Sequence, residues 1–243
     1  MQKLFSLLYT LWAAFWFIAI LVILFPLFWI FLQKDEWKPY AHYLVRFWAT
    51  LLFFIIGVPI KVQYDFMPDP KKAYVFCANH FSYFDVACMG IIIKNYYAFI
   101  GKSSAKGIPL LGYVFAKLHI QVDRGDKESR AKSLTRSIRA LQNGRSIMVF
   151  PEGGIKTNNP PQMVLPLKDG AFAMAIRQQV PLVPITLLNN YQLLPDIKPY
   201  RIKRMPIRAI VHQPISTIGM TSKDVESLKE QAYQVIQKAL NSE

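Results

Sequence analysis

The chain begins with a long apolar run that differs from everything after it. Residues 4–32 carry no charged side chain and consist mainly of Leu, Phe, Trp, Ile and Ala. As a helix they would measure about 43 Å, whereas the hydrocarbon core of a bilayer is about 30 Å thick. The run lacks the shorter apolar region and small-residue cleavage site of a secretory signal. It therefore predicts a retained, membrane-embedded helix, tilted or kinked near Pro26.

A second apolar stretch, residues 47–60, is too short to indicate a separate span. Arg46 precedes it, and Gly57 and Pro59 lie near its end. We expect it to lie in one leaflet or to pack back against the first helix, after a polar connector at residues 34–42. Residues 1–60 are thus predicted to form an N-terminal membrane-anchoring helical hairpin, followed by a catalytic domain at residues 61–243.

The rest of the chain alternates between short apolar runs and segments of helical length. The β-rich runs cover residues 74–78, 97–101, 119–122, 146–150, 182–187 and 207–211. Helical patterns cover residues 84–94, 127–143, 170–178 and 221–240. This alternation is typical of an α/β fold. We predict a mixed, largely buried sheet flanked by helices.

Charge places this domain beside lipid. Residues 1–60 account for +2 of the net charge of +14, which leaves +12 for the remainder. A basic domain tethered to a membrane is expected on an anionic leaflet, because each Lys or Arg near the surface contributes on the order of 1 kcal/mol. We therefore predict that it lies on the cytoplasmic face. Nucleic acid is not an expected partner, since no zinc-finger, RNA-recognition or helix-turn-helix signature accompanies the charge.

Two motifs that carry candidate chemistry directly follow apolar runs. The sequence NHFSYFD occupies residues 79–85, and FPEGG occupies residues 150–154. A histidine can accept a proton from an alcohol near neutral pH, and a carboxylate within hydrogen-bond reach fixes its tautomer. His80 and Asp85 are therefore a candidate base and its orienting acid.

The spacing of His80 and Asp85 requires a turn between them. Residues five apart in one continuous helix point about 140° away from each other. Ser82 and Asp85 fit a capping box, which places His80 just before a helix start. The alternative is that Asp85 only caps this helix and that His80 is an ordinary polar loop residue.

Four ordered blocks between about residues 70 and 190 resemble the glycerolipid acyltransferase family, which includes 1-acyl-sn-glycerol-3-phosphate acyltransferases. The first block is His80-x4-Asp85. The second is IQVDR at residues 120–124, the third is FPEG at 150–153, and the fourth is VPLVPI at 180–185. Residues 102–112 and 168–171 also look like family segments.

The resemblance implies a membrane-bound acyltransferase. His80, oriented by Asp85, would activate the free hydroxyl of 1-acyl-glycerol-3-phosphate to attack an acyl thioester, giving phosphatidic acid. The thioester would be acyl-CoA or acyl-carrier protein, and no cofactor is implied. By the same resemblance, Arg124 would meet the acceptor phosphate, and Glu152 with Gly153 would shape the acceptor site. A covalent acyl-serine step has no candidate, because no Gly-x-Ser-x-Gly motif occurs.

The third block departs from the family pattern. The family continues Gly-Thr-Arg-Ser after the Glu, whereas Ile155 occupies the Arg position here. Lys156, Lys168 and Arg124 are possible replacements for its phosphate contact. Lys102, in another family-like segment, is a further candidate substrate-binding residue. The departure bears on the acceptor more than on the reaction.

Other functions stay open at this point. The acceptor could be another lysolipid or an amino-acid lipid. A transacylase would instead exchange chains between intact phospholipids, without a thioester. A non-enzymatic protein would only bind anionic membrane phospholipids. No metal site is expected, because the four histidines lie in different segments without ligand spacing: His42, His80, His119 and His212.

Overall fold

Seven strands and eight α-helices make up the described part of this computed structural model, which covers residues 2–103, 107–157 and 159–242. The helices are α1 (Gln2–Phe31), α2 (Lys38–Ile55), α3 (Phe84–Ile92), α4 (Leu111–Leu118), α5 (Lys127–Gln142), α6 (Gly170–Gln178), α7 (Asn190–Leu193) and α8 (Val225–Asn241). The strands are β1 (Ile60–Tyr64), β2 (Val75–Ala78), β3 (Tyr97–Lys102), β4 (Ile120–Val122), β5 (Ser146–Val149), β6 (Leu182–Leu187) and β7 (Ile207–Val211).

The strands form one mixed sheet in the order β1-β7-β6-β2-β5-β3-β4. Strands β2 to β6 are parallel to one another, whereas β7 is antiparallel to β6 and β1 is parallel to β7. In the central register, Val75 of β2 pairs with Ile147 of β5 and Leu182 of β6. The α/β prediction with a mixed sheet is confirmed. The carboxyl ends of the five parallel strands share one edge, called here the carboxyl edge.

Alternate residues of β2 face two different helical layers. Phe76 and Ala78 pack in the cluster that contains α1 to α4, while Val75 and Cys77 pack in the cluster that contains α5, α6 and α8. All four side chains are buried. A strand covered on both faces has no polar side, which explains the continuous apolar runs of the sequence.

The two N-terminal helices pack against each other and against the sheet layer. They run in opposite directions, because Tyr9 meets Ile56 at one end and Phe17 stacks edge-on against Trp48 further along, at 4.9 Å between ring centroids. Helix α2 begins at Lys38, so it is longer than the apolar stretch at residues 47–60 and the connector is shorter than predicted. Pro39 is compatible with this start, because the first turn of a helix needs no backbone donor there.

Only one side of α1 is covered. Judged by length and composition, one helix of the described residues is long and apolar enough to cross a membrane, and this helix is α1. Ala13, Ile20 and Phe28 are buried against the protein, whereas Phe15 and Ile23 are exposed. The hairpin therefore has an inner face that belongs to the core and an outer apolar face without a partner in the chain described here.

Candidate active site

The His80 ring and the Asp85 carboxylate form a hydrogen-bonded pair just beyond the carboxyl end of β2. Asp85 Oδ2 accepts from His80 Nδ1 at 2.9 Å and also from the backbone N–H groups of Phe81 and Ser82, at 2.8 and 2.9 Å. The Asp85 side chain is fully buried, and that of His80 is 12% exposed. One carboxylate oxygen thus fixes both the ring and the loop that carries it.

Asp85 also acts in the manner of the acid in a capping box. Its bond to the Ser82 N–H is the contact that such an acid makes with an N-cap residue. The Ser82 hydroxyl, however, donates to the Leu194 carbonyl at 3.1 Å, and α3 begins only at Phe84. The predicted capping box is therefore only half formed, since Tyr83 and not Ser82 precedes α3, and the oxygen of Asp85 that bonds the Ser82 N–H also orients His80.

Sequence reasoning missed Asn190, which holds the other oxygen of Asp85. The Asn190 side-chain amide donates to Asp85 Oδ1 at 2.8 Å, and both residues are buried. Asn190 lies at the start of α7, just after β6, which neighbours β2 in the sheet. The adjacent pair Asn189-Asn190 after an apolar run was the available signal, but nothing in the sequence linked it to the His motif.

These contacts select one tautomer of His80. An ionised carboxylate only accepts hydrogen bonds, so the Asp85 contact places the proton on Nδ1 and leaves a lone pair on Nε2. Within the described residues Nε2 has no hydrogen-bond partner. The ring is held flat against Phe150, with centroids 4.1 Å apart and planes 15° apart. His80 can therefore accept a proton at Nε2 from a group in the site.

Glu152 supports the same loop from β5. It is 1% exposed, and its two oxygens accept from the His80 N–H at 2.8 Å and from the Val164 N–H at 2.9 Å. Burial raises the pKa of Glu152 to about 7, against the lowering effect of these two donors. With both oxygens engaged by backbone, Glu152 positions the loop rather than presenting its carboxyl to a ligand.

Three cationic side chains gather beside Gly153, and we call them the cation cluster: Arg124, Lys156 and Lys168. The Arg124 guanidinium donates to the Gly153 carbonyl. A Cβ placed on Gly153 would lie 3.7 Å from Lys156 Nζ and 3.6 Å from Lys168 Cγ. All three cationic residues are exposed. Arg124 follows β4 and the lysines follow β5, so the fold concentrates positive charge at the carboxyl edge.

The remaining candidates lie apart from this group. Lys102 ends β3 at the same edge and is exposed, with β5 between its strand and β2. His119 accepts from the Phe99 N–H, and His212 hydrogen-bonds Thr186. Across residues 2–103, 107–157 and 159–242, no group of three or more His, Cys, Asp or Glu side chains is placed to hold a metal ion.

Comparison with known proteins connects this geometry to a family. A family model described as Acyltransferase matches residues 60–188, which is more than half of the chain. The chain belongs to the Acyltransferase family. The matched region contains β1 to β6, the His80–Asp85 pair and the cation cluster.

Curated relatives of this acyltransferase family member carry one recurrent name. The chain is 28% identical over 217 residues to a 1-acyl-sn-glycerol-3-phosphate acyltransferase of Chlamydomonas reinhardtii, and the alignment covers 87% of the chain and 62% of the relative. The chain is 29% identical over 179 residues to a 1-acyl-sn-glycerol-3-phosphate acyltransferase of Saccharomyces cerevisiae, and the alignment covers 72% of the chain and 58% of the relative. The chain thus spans less than two thirds of the length of either relative.

A solved structure shares the fold of this acyltransferase family member. The crystal structure of the 1-acyl-sn-glycerophosphate acyltransferase PlsC from Thermotoga maritima superposes with a TM-score of 0.79. The superposition covers 100% of this chain and 97% of that one, at 23% sequence identity. The similarity includes the N-terminal helices as well as the sheet, because the whole chain is covered.

Burial of Glu152 predicts a specific pH dependence of stability. The usual pKa is 4.5 and the folded value is about 7, so between these pH values the unfolded chain loses its proton first. The free energy of unfolding of the wild type should therefore fall across that range relative to that of Glu152→Gln, by on the order of 3 kcal/mol. Above pH 7 the difference between the two proteins should no longer change with pH. Denaturant titrations at a series of pH values measure the difference. A difference between the two free energies of unfolding that stays constant at every pH would contradict a buried carboxyl that is protonated in the folded protein.

Proposed function

We propose that the protein transfers a fatty acyl group from an acyl thioester to the free hydroxyl of 1-acyl-glycerol-3-phosphate. The observation that carries the proposal is the buried His80–Asp85 hydrogen bond beside three clustered cations at one edge of the sheet. Membership in the Acyltransferase family supports the reaction class, and the names of the relatives support the acceptor. The product would be phosphatidic acid.

In the proposed reaction, His80 Nε2 removes the proton of the acceptor hydroxyl while the oxygen attacks the thioester carbonyl. A carbon–oxygen bond forms, and the carbon–sulfur bond then breaks. The leaving thiolate takes the proton back from the imidazolium, so His80 ends as it began. The Asp85 carboxylate stabilises the transient imidazolium and keeps Nδ1 protonated throughout.

The cation cluster is the proposed site for the acceptor phosphate. Arg124, Lys156 and Lys168 replace the charge that the family pattern puts at the position of Ile155. Guanidinium and ammonium groups bind phosphate oxygens through charge-assisted hydrogen bonds. Gly153 has a positive φ of +81°, a backbone conformation that favours glycine, and its carbonyl accepts from the Arg124 guanidinium. Glu152 shapes the same site indirectly, through the loop that it holds.

We further propose that the hairpin anchors the catalytic domain in a membrane. The exposed apolar side of α1 supports this, because such a face is stable in contact with lipid. The basic charge of residues 61–243 supports the cytoplasmic face, whose leaflet carries anionic lipid. The acceptor would then enter laterally from the bilayer. The acyl donor would be acyl-CoA or acyl-carrier protein. Lys102 is a further candidate contact for the substrate.

Replacing His80 by Ala should reduce acyl transfer by about 10²- to 10⁴-fold, since the general base is lost. The assay uses reconstituted protein, radiolabelled acyl-CoA or acyl-carrier protein, and a panel of lysolipid acceptors. His212→Ala is the control, because His212 bonds Thr186 outside the site. Unchanged turnover in His80→Ala would contradict the mechanism. Transfer between phospholipids without thioester would identify a transacylase instead.

Replacing both lysines of the cation cluster by Gln should raise KM for 1-acyl-glycerol-3-phosphate by on the order of 10- to 100-fold, because each charge-assisted bond contributes about 1.5–3 kcal/mol before solvent screening reduces it. Lysolipids without a terminal phosphomonoester should show little change. The double variant Lys71→Gln/Lys72→Gln is the charge-matched control, because both residues are exposed and precede β2, at the opposite edge of the sheet. Equal KM increases for all acceptors would argue against a phosphate site here.

A further inference from the structure

The segment of residues 194–204, between α7 and β7, connects the active-site loop to the N-terminal hairpin. At its start, the Leu194 carbonyl accepts from the Ser82 hydroxyl at 3.1 Å. Near its end, the Ile202 N–H donates to Thr10 Oγ1 on α1 at 3.0 Å. The segment is therefore tied both to the loop that carries His80 and to the apolar helix.

Two of the side chains that this segment exposes are apolar or aromatic. Ile197 is 71% exposed and Tyr200 is 36% exposed. The Tyr200 ring packs edge-on against Tyr83, at 5.8 Å between centroids, and Tyr83 is itself 55% exposed. Since Tyr83 lies three residues after His80, these exposed rings border the active-site loop. A clustered apolar surface of this kind indicates an interaction site.

Positive charge is interleaved with these side chains. The segment holds four cationic residues and one acidic residue, Asp196. The cationic residues are Lys198, Arg201, Lys203 and Arg204. Tyr side chains together with flanking Lys and Arg are the composition that suits the headgroup level of a bilayer. Each cation near an anionic leaflet contributes on the order of 1 kcal/mol.

The apolar surface continues from the segment onto α1. Around Thr10, which accepts the Ile202 N–H, three side chains of α1 are exposed: Leu8, Leu11 and Trp12. The Arg204 guanidinium also donates to the Gly57 carbonyl at the end of α2, at 3.2 Å. At this end, the outer apolar face of the hairpin therefore lies next to the segment.

We propose that residues 194–204, with Tyr83, form a second membrane contact that lies in the headgroup region of an anionic leaflet. The contact would place the entrance to His80 at the lipid surface, where a single-chain lipid leaves the bilayer. The inference rests on the proposed membrane attachment, but it concerns a different part of the chain from the hairpin.

A fluorescent probe tests this contact directly. The full-length protein carries Ile197→Cys labelled with an environment-sensitive dye, and the native Cys77 and Cys88 are buried and free. The matched control is Ile218→Cys, whose site is 81% exposed in the loop after β7. The N–H of the next residue, Gly219, bonds the Gln179 side chain, near the start of β6 and therefore at the opposite edge of the sheet.

The probes are compared in vesicles of phosphatidylcholine with and without phosphatidylglycerol, using lipids with a quencher near the headgroup. We expect at least twofold stronger quenching at position 197 than at 218, and more with phosphatidylglycerol. In the triple variant Lys198→Gln/Arg201→Gln/Lys203→Gln, quenching at position 197 should no longer depend on anionic lipid. The variant should still sediment with the vesicles, because α1 holds it in the membrane.

Three results would overturn the inference. These are equal quenching at both positions, quenching at position 197 that is independent of anionic lipid, and a full dye response to inorganic phosphate without vesicles, which would indicate a phosphate site. Acyl transfer is assayed separately on the same preparations. A failure of the membrane contact is thereby distinguished from a failure of the proposed reaction.

Discussion

A buried carboxylate at position 85 is the constraint on which the site depends. A charge removed from water is tolerated only where hydrogen bonds replace its hydration. Asp85 has four such donors: the His80 ring, the N–H groups of Phe81 and Ser82, and the Asn190 amide. They come from the loop after β2 and from the start of α7 after β6. The geometry of the proposed base is therefore inseparable from the pairing of β2 with β6.

The same strands carry the rest of the site. Glu152 after β5 accepts the His80 N–H, and Asn79 after β2 exchanges two hydrogen bonds with Leu187 at the end of β6. Parallel neighbours thus deliver polar groups to one edge, while their interiors stay apolar. This is why open α/β sheets gather ligands at their carboxyl ends. The arrangement also lets the hairpin, which packs on one face of the sheet, lie close to that edge.

Much of this could be predicted from local patterns. All six strands expected from apolar runs are present, with ends displaced by one residue at most, because buried parallel strands leave a strong local signal. Helix α6 was predicted with its observed bounds, and the amphipathic segment at residues 221–240 covers all of α8 except its last residue, Asn241. The turn between His80 and Asp85 followed from helical geometry alone. Strand β1 was missed, since its first residue closes the second apolar stretch and its side chains are half exposed.

Contacts between distant residues could not be predicted. Asn190 lies 105 residues from Asp85, and only the order of strands in the sheet brings them together. The family resemblance did name the three residues of the cation cluster, but they follow β4 and β5, which are separated in the sheet by β3, so their proximity depends on the fold. The exposed Ile197 and Tyr200 belong to an irregular segment with no periodicity. Their significance depends on the fold that places them beside Tyr83.

The protonation of the His80 ring is the most direct test of the proposed base. Nitrogen-15 NMR of histidine-labelled protein in detergent, assigned with His80→Gln, reports which ring nitrogen bears the proton. The Asp85 contact predicts that neutral His80 is protonated at Nδ1, with a free lone pair on Nε2, and that Asp85→Asn weakens this preference. A neutral ring protonated at Nε2 would contradict the proposed base, because no lone pair would then face the acceptor hydroxyl.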